Sequence, residues 1–222
     1  MVRFSEIRLE VVEAGIRLLN KGLVAGTWGN ISTRIAGTDL IAVTPSGRDY
    51  RGLKETDIII IDSAGHIIDG NLKPSSEVPM HLSIYQARPD VGAIVHTHSI
   101  FASSCAVARK AIPPIIEDLI QVAGGSIDVA DYALPGTGRL AQNVVSGLGS
   151  KRAVLLANHG VVCCGNNLDE AMLGCELVEK AAKIYIFAAQ IGGAVSLGNE
   201  DVKIMHDFYL EHYRRRQEGC ED

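Results

Sequence analysis

The apolar run Val91-Gly-Ala-Ile-Val95 passes directly into His96-Thr-His98, and no other stretch restricts the fold of this chain so strongly. A β-strand sends alternate side chains to opposite faces, so two imidazoles two positions apart leave on the same side, close enough to share a metal ion. That pair is half a metal site, and distant segments must supply the rest. Two candidates stand out: Glu77 in Pro-Ser-Ser-Glu-Val-Pro and His159 in Leu-Leu-Ala-Asn-His-Gly. Three imidazoles and one carboxylate suit zinc.

With 222 residues and 47% hydrophobic content, the chain is long enough for one well-packed domain and short for two. One domain is expected over 1–222, with a core over about 5–195 and a C-terminal helix over about 199–217. The net charge is −5 and the only basic stretch is Arg214 to Arg216, so no nucleic-acid surface is expected. Cys105, Cys163, Cys164, Cys175 and Cys220 lack the spacing of a disulfide framework or a zinc ribbon and read as reduced thiols. The N-terminus has no continuous apolar core of the signal-peptide kind, and no segment approaches the roughly twenty apolar residues of a membrane span. These features predict a soluble cytoplasmic protein with no membrane partner.

Ser5 is placed to cap a first helix with Leu9, Val12, Ile16 and Leu19 on its apolar face and Gly22 at its end. Short strands are expected at Ile31 to Ile35, Leu40 to Thr44, Asp57 to Ile61 and His66 to Ile68, as antiparallel sheet. From Ser75 the pattern alternates: a helix to about Ala87, the strand ending at His96, and a helix from Ser99 to Arg109. An irregular stretch with Pro113 and Pro114 follows, then a helix from Thr137 to Gly147. Strands at Ala153 to Ala157 and Val161 to Cys164 flank Asn158-His-Gly160, and helices run over Leu168 to Ile191 and Asp201 to Arg216. The sum is an α/β protein, an αβα sandwich around a mixed, largely antiparallel sheet.

Ser75 and Ser76 open the helix that carries Glu77, where free backbone amides and the positive end of the helix dipole favour an anion. Plain capping by serine is the bland alternative. Gly26-Thr-Trp-Gly29-Asn30 and Thr44-Pro-Ser46-Gly47 offer further glycine-exposed amides beside hydroxyl or amide side chains. Gly136-Thr-Gly138-Arg-Leu-Ala141 matches a dinucleotide fingerprint but lacks its βαβ setting, and reads as the start of a helix. His81, one helical turn after Glu77, is a substitute ligand. His66, His206 and His212 are expected to face solvent, and Cys163 and Cys164 to pack.

Together, Gly-Thr-Trp-Gly-Asn-Ile-Ser, Thr-Pro-Ser-Gly, Pro-Ser-Ser-Glu, Ile-Val-His-Thr-His-Ser and Leu-Ala-Asn-His-Gly stand in the order and spacing of the class II aldolase/adducin family, which the chain resembles over almost its whole length. The resemblance implies an αβα fold, a homotetramer with active sites at subunit interfaces, and zinc held by Glu77, His96, His98 and His159. It also implies a phosphate cradle of Gly29, Asn30, Ser46, Gly47, Ser75 and Ser76. Epimerases of the family carry Asp in place of Glu77, which favours the aldolases, whereas Trp28 and Pro-Ser-Gly-Arg-Asp-Tyr look more like the epimerases. Fuculose-type aldolases have a tyrosine proton donor before the Gly-Gly pair, but here that segment is Ile115-Ile-Glu-Asp-Leu-Ile-Gln121. Glu117 or Asp118 is expected to supply the acid/base group instead, with Tyr209 and Tyr213 as alternatives across an interface.

The function so implied is zinc-dependent, reversible cleavage of a ketose 1-phosphate, such as L-fuculose 1-phosphate, to dihydroxyacetone phosphate and a small aldehyde. Zinc is the Lewis acid and Glu77 the acid/base. The alternatives are a sugar-phosphate 4-epimerase, a phosphotetronate decarboxylase or a methylthioribulose-phosphate dehydratase on the same metal site. From another class comes a non-catalytic, adducin-like assembly domain, for which an intact metal site has no physical use.

Overall fold

The computed structural model describes residues 4–213. Its centre is one eight-stranded sheet in the order β4-β3-β2-β1-β5-β8-β7-β6. The strands are β1 (Asn30–Arg34), β2 (Ile41–Val43), β3 (Ile59–Ile61), β4 (Ile67–Asp69), β5 (Ala93–Thr97), β6 (Val129–Ala130), β7 (Ala153–Leu156) and β8 (Gly160–Gly165). Every neighbouring pair is antiparallel except β6 and β7. The helices are α1 (Ser5–Asn20), α2 (Val78–Ala87), α3 (Ile100–Val107), α4 (Glu117–Ala123), α5 (Gly138–Leu148), α6 (Leu168–Ala188) and α7 (Asn199–Phe208).

The αβα layering follows from strand alternation. In β5, Ala93 and Val95 pack with residues of α1, α3, α4 and α6, while Ile94 packs with Val78, Met80 and Ile84 of α2 and Leu140 and Val144 of α5. β5 is buried along its whole length, and burying an Ile such as Ile94 contributes about 1.5–3 kcal/mol. No helix among the described residues is long and apolar enough to cross a membrane.

Several local expectations are corrected. Phe4, not Ser5, stands at the N-cap of α1 with φ 66°, and the Ser5 hydroxyl donates to Glu55 Oε2 at 2.6 Å. Leu9 and Ile16 are exposed, and the inner face of α1 is Val11, Val12, Ala14, Gly15 and Leu18. The reason is contact with a ring: a Cβ on Gly15 would lie 2.3 Å from Tyr50 Cδ1, so small residues make the close face and apolar periodicity misplaces it. Ser75 and Ser76 precede α2, because Ser75 N–H donates to Thr44 O and Val78 N–H to Ser75 O, holding a turn before the helix begins at Val78 with Pro79 in its first turn.

Helix α4 was expected as irregular chain. It has acids Glu117 and Asp118 in its first turn and Gly124 at φ 82° after its end, but seven residues are too few for a clear period. The two-residue β6 was also missed. The last helix is α-helical over Asn199–Phe208 and π-helical over Tyr209–Tyr213, and the expected continuation through Arg214 to Arg216 lies outside the described residues, as does Cys220. His206 is half-buried with Nδ1 2.7 Å from the Gln121 carbonyl oxygen, so it does not face solvent. Thr137 caps α5 through its hydroxyl, and Cys163 and Cys164 are buried.

Candidate metal centre

Strand register assembles the first part of the site. β1 pairs with β5 so that Asn30 lies opposite His96, and both lie on the sheet face covered by α2. His98, two residues beyond His96, leaves the same face just past the end of β5. On the other side, β8 pairs Val162 with His96, and the His96 Nδ1–H donates to Val161 O at 2.9 Å. That bond fixes the tautomer and leaves Nε2 as a lone pair.

His159 enters through the hairpin between β7 and β8. Leu156 pairs with Gly160, so Ala157, Asn158 and His159 form the loop, with Asn158 in the left-handed region at φ 55°. Asn158 Oδ1 accepts a hydrogen bond from Arg109. Gly160 is needed for space: a Cβ there would sit 2.3 Å from Thr97 O and 3.0 Å from His98 Cδ2.

The three Nε2 atoms converge, with His96 2.9 Å from His98 and 3.2 Å from His159. A tetrahedral ion with bonds of about 2.0–2.1 Å sets its nitrogens about 3.3 Å apart. Burial, with the neighbouring imidazoles, holds His96 well below the usual histidine range. Burial also lowers His98 and His159, against the opposing pull of Glu77. Neutral imidazoles offer the lone pairs that metals require.

Glu77 occupies the N-cap position of α2 without capping it. Its Oε2 lies 3.3 Å from His96 Nε2 and accepts from Asn30 Nδ2 at 2.8 Å, and its Oε1 lies 3.4 Å from His159 Nε2. Oε1 is buried and has no hydrogen-bond partner among the described residues. A buried carboxylate beside three converging imidazole nitrogens, with Oε1 left without a hydrogen-bond partner, is a mismatch that a divalent cation resolves, so these four residues fit a metal.

Above this cluster opens a cavity of about 340 Å³. All six residues of the expected phosphate cradle line it, as do Glu77, His98 and His159. The Ser46-Gly47 loop and the Ser75-Ser76 turn are tied by Ser46 N–H to Lys73 O at 2.9 Å and Ser75 N–H to Thr44 O at 3.1 Å. Gly29, at φ 89°, approaches so closely that a Cβ would lie 2.7 Å from His96 O. Among the described residues, no lysine or arginine lines the cavity, so an anion there would be held by amides and hydroxyls. Trp28 and Pro135, which residue chemistry did not single out as binding groups, also line it, and the exposed indole stacks on His98 with 5.8 Å between ring centroids. An aromatic within a glycine loop was the available signal for Trp28.

Three expected residues lie elsewhere. Glu117 and Asp118 border a separate, open groove, where Asp118 pairs with Lys180. Tyr209 is buried with its hydroxyl 3.4 Å from Glu170 Oε1, which removes it as a donor across an interface. His81 is no substitute ligand, because Ser32 Oγ meets its Nδ1 at 2.7 Å and Asn30 Oδ1 its Nε2 at 2.6 Å. Burial pushes its pKa down to about 4, partly opposed by Glu77.

Residues 9–186 match the Class II Aldolase and Adducin N-terminal domain family. The chain is 37% identical over 212 residues to a 5-deoxy-D-ribulose 1-phosphate aldolase of Bacillus thuringiensis, covering 96% of this chain and 95% of that protein. It is 32% identical over 215 residues to the L-fuculose phosphate aldolase of Escherichia coli, covering 96% and 99%. Among solved structures, an L-fuculose 1-phosphate aldolase superposes with a TM-score of 0.89 at 39% identity, covering 92% of this chain and 96% of that one. These names do not favour the epimerase, decarboxylase, dehydratase or assembly-domain alternatives. The chain belongs to the class II aldolase and adducin N-terminal domain family, and within that metal-dependent family it is an enzyme of the aldolase kind, a lyase.

Proposed function

We propose that this chain is a single-domain, cytoplasmic, zinc-dependent aldolase that reversibly cleaves a ketose 1-phosphate to dihydroxyacetone phosphate and a small aldehyde. The observation that carries this reading is the placement of the Glu77, His96, His98 and His159 cluster at the base of a cavity rimmed by the six cradle residues. Zinc held by these four residues would act as a Lewis acid toward the ketose oxygens. The amides and hydroxyls of Gly29, Ser46, Gly47, Ser75 and Ser76 would hold the phosphate, fixing which carbon–carbon bond lies over the imidazoles. Glu77, through Oε1, would move the proton at the nucleophilic carbon. Glu117 or Asp118, which in one subunit stands apart from the cavity, would serve the active site of a neighbour in a homotetramer.

The relatives' names point to two substrates, L-fuculose 1-phosphate and 5-deoxy-D-ribulose 1-phosphate. Both end in a methyl group, which the exposed Trp28 indole beside His98 suits as an apolar wall without choosing between them. The test offers each ketose phosphate to purified protein and follows dihydroxyacetone phosphate by a coupled assay, before and after chelation. The expected result is release from at least one of the two, lost on chelation and restored by zinc. No release from either compound, or release indifferent to chelator, overturns the proposal.

A further inference from the structure

A line of buried hydrogen bonds runs from Glu77 into the protein, away from the cavity. Glu77 Oε2 accepts from Asn30 Nδ2 at 2.8 Å, Asn30 Oδ1 faces His81 Nε2 at 2.6 Å, His81 Nδ1 faces Ser32 Oγ at 2.7 Å, and Ser32 Oγ faces Tyr85 Oη at 2.8 Å. All five side chains belong to buried residues, none more than 6% exposed. Beyond Asn30, which borders the cavity, His81, Ser32 and Tyr85 lie buried inside the protein, where a wrong polarity is costly.

The proton order along this line is forced. An ionised carboxylate only accepts, so Asn30 turns its amide NH₂ toward Glu77 and presents its carbonyl oxygen to His81. Two acceptors cannot share one proton-free contact, so His81 carries its proton on Nε2 and keeps a lone pair on Nδ1. Ser32 therefore donates to His81, and the Tyr85 phenol donates to Ser32. With the other imidazole tautomer, Asn30 would rotate its carbonyl oxygen onto the Glu77 carboxylate, which is repulsive. The line sets the two Glu77 oxygens apart: Oε2 is anchored by Asn30, and Oε1 is left without a partner beside His159.

We infer that Tyr85, Ser32 and His81 form a positioning relay that locks the Asn30 amide, anchors Glu77 by Oε2 and keeps Oε1 as the oxygen presented to the reacting carbon. The inference rests on the proposed acid/base role of Glu77. It also assigns Asn30 a second task, steering the carboxylate from the rim of the phosphate cradle. His81 is thus a positioning residue that acts on substrate only through Asn30 and Glu77.

Two measurements test the relay. Nitrogen-15 NMR of the histidine rings in the folded protein is expected to show His81 with a protonated Nε2 and a proton-free Nδ1; the reverse tautomer, or a mixture, overturns the inference. In steady-state assays with the zinc-loaded enzyme, His81→Leu is expected to lower kcat at least about tenfold, a modest share of the 10²–10⁴ typical of acid–base catalysis. KM is expected to stay within about twofold, with metal content per chain retained. His81→Gln keeps an amide donor toward Asn30 and is expected to recover most of kcat. Unchanged kcat in His81→Leu, or a loss equal to the loss of folded, metal-loaded protein, contradicts the relay. If the wild-type protein cleaves no ketose phosphate, the aldolase proposal is what fails, and the tautomer still decides the relay.

Discussion

At the scale of single residues, the carboxylate Glu77 is proposed to have two tasks that pull in different directions: to complete the ligand set and to move a proton. Glu77→Gln preserves shape and removes the charge, so kcat is expected to fall by at least about 10²-fold. Glu117→Gln, on a residue proposed to act from a neighbouring subunit, is expected to slow turnover without abolishing it. Steady-state rates on the ketose phosphate that the wild type cleaves fastest check both, and full activity in Glu77→Gln contradicts its role. The residues gathered at the cavity were legible one by one because their signals are local. Strand alternation pairs His96 with His98, and glycine beside hydroxyl residues marks the cradle loops. What could not be read is the partnership of His81 with Ser32 and Asn30, whose members are about fifty positions apart and meet only through the packing of α2 on β1. Helical spacing put His81 on the face of Glu77, and the tertiary contact then occupied both of its nitrogens.

At the scale of elements, a charged clamp holds the end of α2 to the start of the central strand. Arg88, just after α2, donates to both oxygens of Asp90 at 2.8 Å and to the carbonyl oxygens of Gly149 and Lys151, while Arg152 lies 3.0 Å from Asp90. The Arg88 hydrogen bonds, against some desolvation, lower the Asp90 pKa from 3.8 to about 2. The folded protein therefore binds fewer protons at this group than the unfolded chain does in the window between those values. The clamp's stabilisation is fully present above about pH 4 and is lost as pH falls toward 2. Asp90→Asn is expected to remove that share of the acid sensitivity, read as a flatter dependence of the urea midpoint on pH across the window; an unchanged slope contradicts it. Long elements were legible from sequence because α6 and the β7–β8 hairpin repeat their signals over many residues. Helix α4 and strand β6 were not, since seven and two residues respectively are shorter than the patterns that identify them.

For the molecule as a whole, the site is a product of complete folding. His96 and His98 come from the middle of the sheet, His159 from a hairpin on one side of it, and Glu77 from the start of a helix packed on its face. The proposed ligand set does not exist in the unfolded chain, so metal binding there would be linked to stability. An ion at a hundred times its dissociation constant would stabilise the fold by about 2.7 kcal/mol. The layered α/β class was legible because strands and helices alternate after Ser75, but the sheet order was not, since β1 and β5 are neighbours across an interval of more than fifty residues. The central claim is that four separated side chains hold one divalent cation. The most direct test is elemental analysis of zinc-reconstituted protein after dialysis, with thermal unfolding on the same samples. Wild type is expected to retain one zinc per chain and melt at a higher temperature than its chelated form. The triple variant His96→Ala, His98→Ala and His159→Ala is expected to retain none and to show no such shift. Zinc retained at one per chain by that variant, or none by the wild type, would contradict the account.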